Sequence, residues 1–324
     1  MSRRPEITVA IPSHRRARRL RALLDGLAAQ TLAPERFEVV VCHTPDEETE
    51  QVLADHPLAE GGRLRALRLP PGERGPALQR NRAWRVGRAD LVAFMDDDCR
   101  PHPNWLAELL AVARAHPGAI VEGATRPDPL EEHHLGMPYA RTLWVDPPSP
   151  WGATCNICYP RELLERVGGF DERFALAGED TDLLMRALDA GALHVGAPRA
   201  LAWHAVDPGT LVGRLRTLPR WRHAVLVVRR HPRVRSALSL GVFWRPEHAS
   251  LVGALAGAAL AAASRRPAWL ALALPWLVSR APRYGASPRA LAASARDTAG
   301  RLVVDAAEVA VMGWGSARHR TFVL

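Results

Sequence analysis

The chain has 324 residues, 48% of them hydrophobic and 24% charged, so it can bury a sizeable core and is too apolar for a disordered protein. Its four cysteines are too few for a small disulfide scaffold, and Met1 is followed by no apolar leader, so we expect a reducing compartment. Every basic residue is an arginine, and the charge is uneven: residues 1–204 hold 25 arginines and 29 acidic residues, whereas residues 205–324 hold 18 arginines and 5 acidic residues.

The first two thirds of the sequence alternates predicted strands and helices. Apolar and β-branched runs predict strands over residues 6–12, 37–42, 90–95 and 119–123. Apolar residues at helical spacing predict helices that begin after Ser13 and that cover residues 48–53, 75–88, 104–115, 161–167 and 179–190. We predict a loop over residues 126–150 and two short strands over residues 193–195 and 200–204. This order predicts an α/β fold with a mostly parallel sheet and helices on its faces.

The composition changes after Val206, so we predict a first domain over residues 1–206 and a basic helical tail over residues 207–324. Residues 214–235 mix arginines with apolar residues and predict a basic amphipathic helix. Residues 249–278 are apolar and are interrupted by Arg265-Arg266-Pro267. A helix of about 15 residues spans only ~22 Å, short of the ~30 Å hydrocarbon core, so we expect a shallow hairpin or one short tilted span.

Arginines beside tryptophans and uncharged stretches suit either an anionic membrane surface or nucleic acid. No helix-turn-helix, zinc or RNP pattern is visible in the tail, and residues 249–278 are too apolar for a nucleic-acid face. We therefore favour the cytoplasmic face of the cell membrane and expect no nucleic-acid partner. The alternative is that residues 249–278 pack under the first domain.

Two acidic motifs carry the candidate chemistry. Asp96-Asp97-Asp98 follow a buried strand, and their mutual repulsion is costly unless a cation such as a divalent metal neutralises it. In an extended chain Asp96 and Asp98 point the same way, at the strand end where open α/β sheets bind ligands. Glu179 and Asp180 open a predicted helix. Each motif alone is also compatible with a solvated turn or a helix cap.

Together, and in this order, these segments resemble the inverting glycosyltransferases of family 2, which have the GT-A fold. The resemblance runs from Ile7 to about His204. The motifs that carry it are residues 9–16 (VAIPSHRR), 80–83 (RNRA), 93–99 (AFMDDDC), 103–106 (PNWL), 167–174 (VGGFDERF), 178–183 (GEDTDL) and 203–204 (WH).

The resemblance implies a nucleotide-sugar donor, a Mg2+ or Mn2+ cofactor, and a glycan or lipid-linked acceptor. It implies that Asp180 is the general base and that the metal ligands are Asp96, Asp98 and His204. The residues expected at the nucleotide sugar are Pro12, Ser13, His14, Arg15, Arg80, Asn81, Asp96 and Asp97. The residues expected at the acceptor side are Gly169, Phe170 and Glu179.

Two further expectations concern the sugar and the nucleobase. Trp151 and Asn156 precede the Gly-Gly-Phe-Asp turn and are expected to meet a sugar, with core packing as the alternative for Trp151. Members of the family commonly have an acidic residue just after the second strand, and this chain has His43 and, further on, Asp46. Either residue is a candidate for contacting the nucleobase.

The expected chemistry is displacement of a nucleoside diphosphate from the anomeric carbon. A divalent cation stabilises the charge that develops on the leaving phosphate, and one carboxylate takes the proton of the acceptor hydroxyl. Attack from the opposite face inverts the configuration. We therefore predict a membrane-associated inverting glycosyltransferase that acts on a lipid-linked or cell-envelope saccharide. The alternatives are a non-catalytic membrane-bound scaffold of the same fold and, less favoured, a nucleotidyltransferase.

Overall fold

The computed structural model describes residues 4–174, 177–281, 284–285 and 287–324. The chain divides into two compact units. The first unit comprises Met1–Leu135 and Arg141–Asp207, and the second comprises Gly136–Ala140 and Pro208–Leu324.

The first unit is built on one eight-stranded mixed sheet in the order β3-β2-β1-β4-β7-β6-β8-β5. The strands are β1 Ile7–Ser13, β2 Phe37–His43, β3 Leu64–Arg68, β4 Leu91–Phe94, β5 Cys99–Pro101, β6 Ile120–Pro127, β7 Ile157–Pro160 and β8 His194–His204. Strands β3, β2, β1 and β4 are parallel, β7 is antiparallel to both of its neighbours, and β8 runs parallel to β6 and antiparallel to β5. The predicted mixed α/β sheet is confirmed.

Helices cover the sheet, which is why β1 and β2 are buried along their whole length. The helices of this unit are α1 Ala17–Ala28, α2 Glu47–Asp55, α3 Pro57–Glu60, α4 Pro76–Val86, α5 Trp105–Ala115, α6 Arg161–Val167 and α7 Glu179–Asp189. The predicted leucines of α1, from Leu20 to Leu27, are fully buried in the core. The predicted helix over residues 161–167 has these same bounds.

Several strands differ from the sequence prediction. Strands β3, β5 and β7 were not predicted, because none of them lies in an apolar run as long as those of β1, β2 and β4. The two strands predicted over residues 193–195 and 200–204 are parts of one strand, β8, which begins at His194. Its pairing with β6 shifts register between Gly123 and Thr125, and Pro198, which has no N–H to donate, lies in the interval between the two paired stretches.

The second unit is helical, as predicted, but its first part is segmented. The helices are α8 Leu211–Thr217, α9 Arg222–Arg230, α10 Pro246–Ser264, α11 Leu274–Arg280 and α12 Pro288–His319. The single amphipathic helix predicted over residues 214–235 is wrong. Short 3-10 segments begin there at Leu218, which Pro219 follows, and at Pro232, because proline cannot continue an α-helix interior. The 32-residue helix α12 was not anticipated.

Two of the three buried carboxylates on helix α12, those of Glu308 and Asp305, organise the second unit. Arg214 on α8 donates to Glu308 at 2.6 Å, and His248 on α10 lies 3.2 Å from the same carboxylate. Burial alone would raise the pKa of Glu308, but these groups and Arg245 lower it below its ordinary value. Asp305 accepts hydrogen bonds from the indole N–H of Trp276 and from Arg280. Each carboxylate therefore ties α12 to other helices.

Among the helices of the described residues, none combines the length and the apolarity that crossing a membrane requires.

We predict that Gly123→Ala destabilises the first unit. A Cβ at residue 123 would lie 2.3 Å from the carbonyl oxygen of Ala200 and 2.5 Å from the Asn156 amide, so backbone would have to move. We expect the free energy of unfolding to fall by about 1–3 kcal/mol, measured by urea denaturation. Gly61→Ala is the control, because its new Cβ meets only the flexible side chain of Arg63. Equal stability of the two variants would contradict this packing.

Candidate active site

The site lies where parallel strands end at one edge of the sheet. Strand β1 lies between β2 and β4, so the segment after Ser13, the segment after His43 and the acidic triplet after β4 share this edge. His204 reaches the same region from β8, because it pairs with Cys99 directly after the triplet. Residues far apart in sequence therefore meet at the strand ends.

Asp97, the central aspartate of the triplet, fastens two of these segments together. Its buried carboxylate accepts hydrogen bonds from the Ser13 hydroxyl at 2.9 Å, the His14 backbone N–H at 3.1 Å and the Arg16 guanidinium at 2.9 Å. Burial raises the pKa of Asp97 to about 6, against the opposing charge of Arg16. Both carboxylate oxygens are engaged within the protein, so Asp97 positions these segments, and its expected nucleotide contact stays a prediction.

Two arginines neutralise the triplet. Arg16 also lies 2.6 Å from Asp98 Oδ2, and Arg80 on α4 lies 2.6 Å from Asp96 Oδ1. The protein itself therefore supplies the cations that the repulsion among these carboxylates demands. Charge repulsion alone is consequently not an argument for a metal, and the case for one depends on ligand chemistry.

Asp98 and His204 offer that ligand chemistry. Asp98 Oδ1 lies 3.6 Å from His204 Nε2, and His204 Nδ1 lies 2.8 Å from the carbonyl oxygen of Ala205. An Nδ1–H donated to that carbonyl leaves the Nε2 lone pair directed at Asp98, the tautomer that ligates metals. Cys99 lies in the same group, with ligand atoms within 4.8 Å of one another. A hydrogen bond with Cys155 and burial raise the pKa of the Cys99 thiol well above its ordinary value, which leaves the oxygen and nitrogen ligands.

Asp96 faces a different partner from the one expected. Its carboxylate bonds Arg80, and the group formed by Asp98, Cys99 and His204 does not include it. Asp96 therefore pairs with Arg80 in this structure, and its expected role as a metal ligand beside Asp98 stays a prediction.

Arg80 joins the acidic triplet to the acids that open α7. Its guanidinium is buried and donates to Asp96 Oδ1 and, at 2.9 Å, to Glu179 Oε1. Burial alone would lower the pKa of Arg80, but the charges of Asp96 and Glu179 outweigh burial and raise it. Glu179 thus forms a buried ion pair through Oε1, and its expected placement beside an acceptor stays a prediction.

Asp180, the expected base, follows Glu179 in the first turn of α7. Burial raises the pKa of Asp180 to about 7, and the negative charges of Glu179 and Asp96 act in the same direction. The Thr181 backbone N–H donates to Asp180 Oδ1 at 2.8 Å, and the positive charge of Arg80 opposes the rise. A carboxyl group that titrates near neutrality is suited to proton transfer.

The Gly-Gly-Phe-Asp turn is held from inside the protein. Asn81 donates to the Phe170 carbonyl and to Glu172, and its side-chain oxygen accepts from the Phe170 N–H and the Trp84 indole. Gly169 has φ +71°, and a Cβ there would lie 2.6 Å from that oxygen. Phe170 is buried, with its ring 5.0 Å from the Phe94 ring. Asn81, Gly169 and Phe170 therefore shape the turn, and their expected ligand contacts stay predictions.

Asn156 and Trp151 have different surroundings. Asn156 is buried in the core, where it accepts from the Trp105 indole at 2.7 Å and donates to the carbonyls of Ala124 and Ala200, so the expectation that it contacts a sugar is wrong. Trp151 is half-buried, and its carbonyl accepts from the Thr181 hydroxyl at 2.9 Å. Trp151 thus lies beside the first turn of α7.

The residues expected at the nucleotide near the end of β1 differ in exposure. Pro12 and Ser13 are buried, whereas His14 and Arg15 are exposed. His14 Nδ1 lies 2.8 Å from the Thr44 hydroxyl, which brings the ends of the two strands together.

Asp46 caps α2. It accepts from the Thr49 N–H and, at 2.6 Å, from the Thr49 hydroxyl, so its carboxylate already has protein partners. His43 is buried beside the end of β2.

Sequence reasoning missed two residues of this region. Arg16 stands in the quoted motif after β1 and was assigned no role, although it pairs with Asp97 and Asp98. Gln79 is buried and donates to the carbonyl oxygens of Ser13 and Cys42, which ties α4 to β1 and β2. Nothing in the local sequence indicates a role for Gln79. The pairing of Arg16 with Asp97 and Asp98 could be inferred only from the strand order, which places β1 beside β4.

Comparison with known proteins supplies the context for this geometry. The model of the family Glycosyl transferase family 2 matches residues 8–170. The pre-mycofactocin glycosyltransferase of Mycobacterium tuberculosis is 31% identical over 211 residues, covering 61% of this chain and 42% of that protein. The O-antigen biosynthesis protein RfbC of Myxococcus xanthus is 29% identical over 216 residues, covering 59% of this chain and 16% of that protein. The chain thus spans less than half the length of these two relatives.

A solved structure shows the same fold. The mannosyltransferase PcManGT of Pyrobaculum calidifontis, in complex with GDP-Man and Mn2+, superposes with a TM-score of 0.60 at 19% identity. The likeness covers 97% of this chain and 88% of that chain.

We predict that Asn156→Ala lowers stability and leaves the turnover of the folded enzyme unchanged. The substitution leaves the Trp105 indole N–H and two buried carbonyls without partners, at a cost on the order of 3 kcal/mol. Thermal unfolding measures the loss, and donor turnover per folded molecule tests the second claim. Asn104→Ala, at an exposed residue, is the control. If Asn156→Ala instead lost turnover with an unchanged melting temperature, the result would contradict this prediction and support a contact between Asn156 and a sugar.

Proposed function

Because the chain belongs to glycosyl transferase family 2 and is a glycosyltransferase, we propose that it moves a sugar from a nucleotide donor to a glycan or lipid-linked acceptor with inversion. The observation that carries this proposal is the buried Arg80 bridge between Asp96 and Glu179. Through this bridge, the acidic triplet after β4 and the Asp180 carboxyl after Glu179 lie close enough for their charges to act on each other. A donor-binding motif and a base are thereby available on two sides of one site.

We infer that Asp98 and His204 hold Mg2+ or Mn2+ together with the donor diphosphate. A carboxylate oxygen and an imidazole nitrogen 3.6 Å apart, with the histidine tautomer set by the Ala205 carbonyl, fit such a cation. A divalent ion supplies Lewis-acid stabilisation of the charge that develops on the leaving diphosphate. The Mn2+ in the PcManGT complex supports this proposal.

The residues of the chain perform the remaining steps. Asp180 accepts the proton of the acceptor hydroxyl, and Arg80 holds Glu179 and Asp96 in place beside it. Asp97 keeps the segment after β1 docked on the triplet, and the exposed His14 and Arg15 are left to contact the nucleotide. The likeness to an O-antigen biosynthesis protein supports a cell-envelope saccharide as acceptor.

We predict that Asp180→Asn lowers transfer by a factor on the order of a hundred to ten thousand, because an amide cannot take the proton. In the parent enzyme the protonated acid is inactive as a base. Since burial raises the pKa of Asp180 to about 7, transfer should rise with pH below about 7 and level off above it. The measurement is kcat/KM for transfer as a function of pH. Asp189→Asn, on the exposed end of α7, is the control.

Two results would refute the assignment of the base. One is Asp180→Asn retaining the parent rate. The other is a pH profile that stays flat from pH 5 to pH 8 while the protein remains folded.

We predict that Asp98→Asn and His204→Gln each weaken Mn2+ binding by about tenfold or more, because each removes one ligand. The measurement is electron paramagnetic resonance of Mn2+ titrated into the protein with a nucleoside diphosphate. Asp90→Asn is the control, since its side chain is 78% exposed and pairs with Arg4. An unchanged Mn2+ affinity in either ligand variant would place the metal elsewhere.

A further inference from the structure

The second unit exposes an apolar hairpin, which we define as residues 246–280. Helix α10 forms one arm, and a 3-10 segment, Pro267–Ala273, followed by α11 forms the other. Gly257 lets the arms approach closely, because a Cβ there would lie 2.5 Å from the carbonyl oxygen of Trp269. The hairpin is therefore a packed element and not a loose extension.

The outer part of the hairpin lacks a cover within its own unit. All residues from 262 to 272 are exposed. The large apolar side chains on the two arms are 41% to 65% exposed: Leu255, Leu260, Trp269, Leu270, Leu272, Leu274, Leu277 and Val278. So much apolar surface on one element marks an interaction site, because soluble proteins seldom leave large apolar patches in water.

The charges around this surface have one sign. Between Glu247 and Asp297 the sequence contains no acidic residue, whereas it contains six arginines. Arg265 and Arg266 lie exposed in the turn between the arms, and no carboxylate among the described residues forms a salt bridge with either. An occupant of this surface must therefore be apolar inside and anionic at its boundary.

We propose that the hairpin lies in the surface of an anionic lipid bilayer. Leucines and Trp269 would enter the boundary between headgroups and acyl chains, where tryptophan is favoured. The guanidinium groups of Arg265 and Arg266 would meet lipid phosphates, whose geometry suits bidentate hydrogen bonds. The anionic lipids of a cytoplasmic leaflet offer this chemistry. The inference does not rest on the proposed reaction.

Other occupants fit less well. In a second copy of this chain the same hairpin presents the same exposed arginines, and its one carboxylate, Glu247, lies at the base of the hairpin 3.7 Å from Arg280, so the outer parts of two hairpins face each other with like charges. Nucleic acid would satisfy the arginines but would leave the leucines and Trp269 against a charged backbone. A bilayer satisfies both requirements at once.

The test is co-sedimentation of the full chain with sucrose-loaded vesicles of phosphatidylcholine, with or without phosphatidylglycerol. We expect binding to the anionic vesicles. Leu270→Glu/Leu274→Glu should weaken the partition coefficient by about tenfold or more, because it puts carboxylates on the apolar face. Arg265→Gln/Arg266→Gln should weaken binding to anionic vesicles by about fivefold for each arginine at low salt, with little effect on phosphatidylcholine vesicles.

The matched control is Leu130→Glu/Leu193→Glu, which adds the same charge at residues of the first unit that are 73% and 67% exposed. Thermal unfolding checks that every variant is folded. The proposal is overturned if the parent chain stays in the supernatant, or if the hairpin and control variants bind alike. It is also overturned if the hairpin variants change the oligomeric state in light scattering without changing vesicle binding, since a second copy is then the occupant.

Discussion

The site depends on the burial of one cation, the Arg80 guanidinium. Arg80 is only 4% exposed and donates hydrogen bonds to two carboxylates. Asp96 is 16 residues away from Arg80 in the sequence, and Glu179 is 99 residues away. A buried charge is tolerated only when it is paired, and removal of one partner leaves the other uncompensated. Helix α4, the triplet after β4 and the first turn of α7 are therefore held as one arrangement. The raised pKa of Asp180 belongs to the same arrangement, because it combines burial with the charges of Glu179 and Asp96.

Arginine performs this task throughout the chain, which contains no lysine. Arg16 fixes Asp97 and Asp98 in the first unit, and Arg214 and Arg280 fix the buried carboxylates of α12 in the second. The planar guanidinium satisfies two acceptors at once, which a single ammonium point charge does less well. The basic composition of the tail thus has two origins: some arginines stabilise its interior, and others, such as Arg265 and Arg266, remain at the surface.

The elements that could be predicted are those with long apolar patterns. Strands β1, β2 and β4 were predicted because they lie in continuous apolar runs, and helix α1 because its leucines have helical spacing, whereas β3, β5 and β7 lie in no apolar run of that length. The acidic motifs were located correctly along the chain. Their partners were not, because a polar side chain looks the same in sequence whether it faces a ligand or, like Asn156, holds the core together. The strand order determines which polar side chains lie at the site and which lie in the core.

The position of β5 at the edge of the sheet determines how much of the chain the proposed site needs. Strand β5 follows the acidic triplet directly, and its neighbour in the sheet order is β8, whose last residue is His204. The family match ends at residue 170, before both α7 and β8. A fragment cut at that limit would retain the diagnostic sequence yet lose Asp180, His204 and the support of β5. The family match and the set of proposed catalytic and metal-binding residues therefore have different boundaries in this chain.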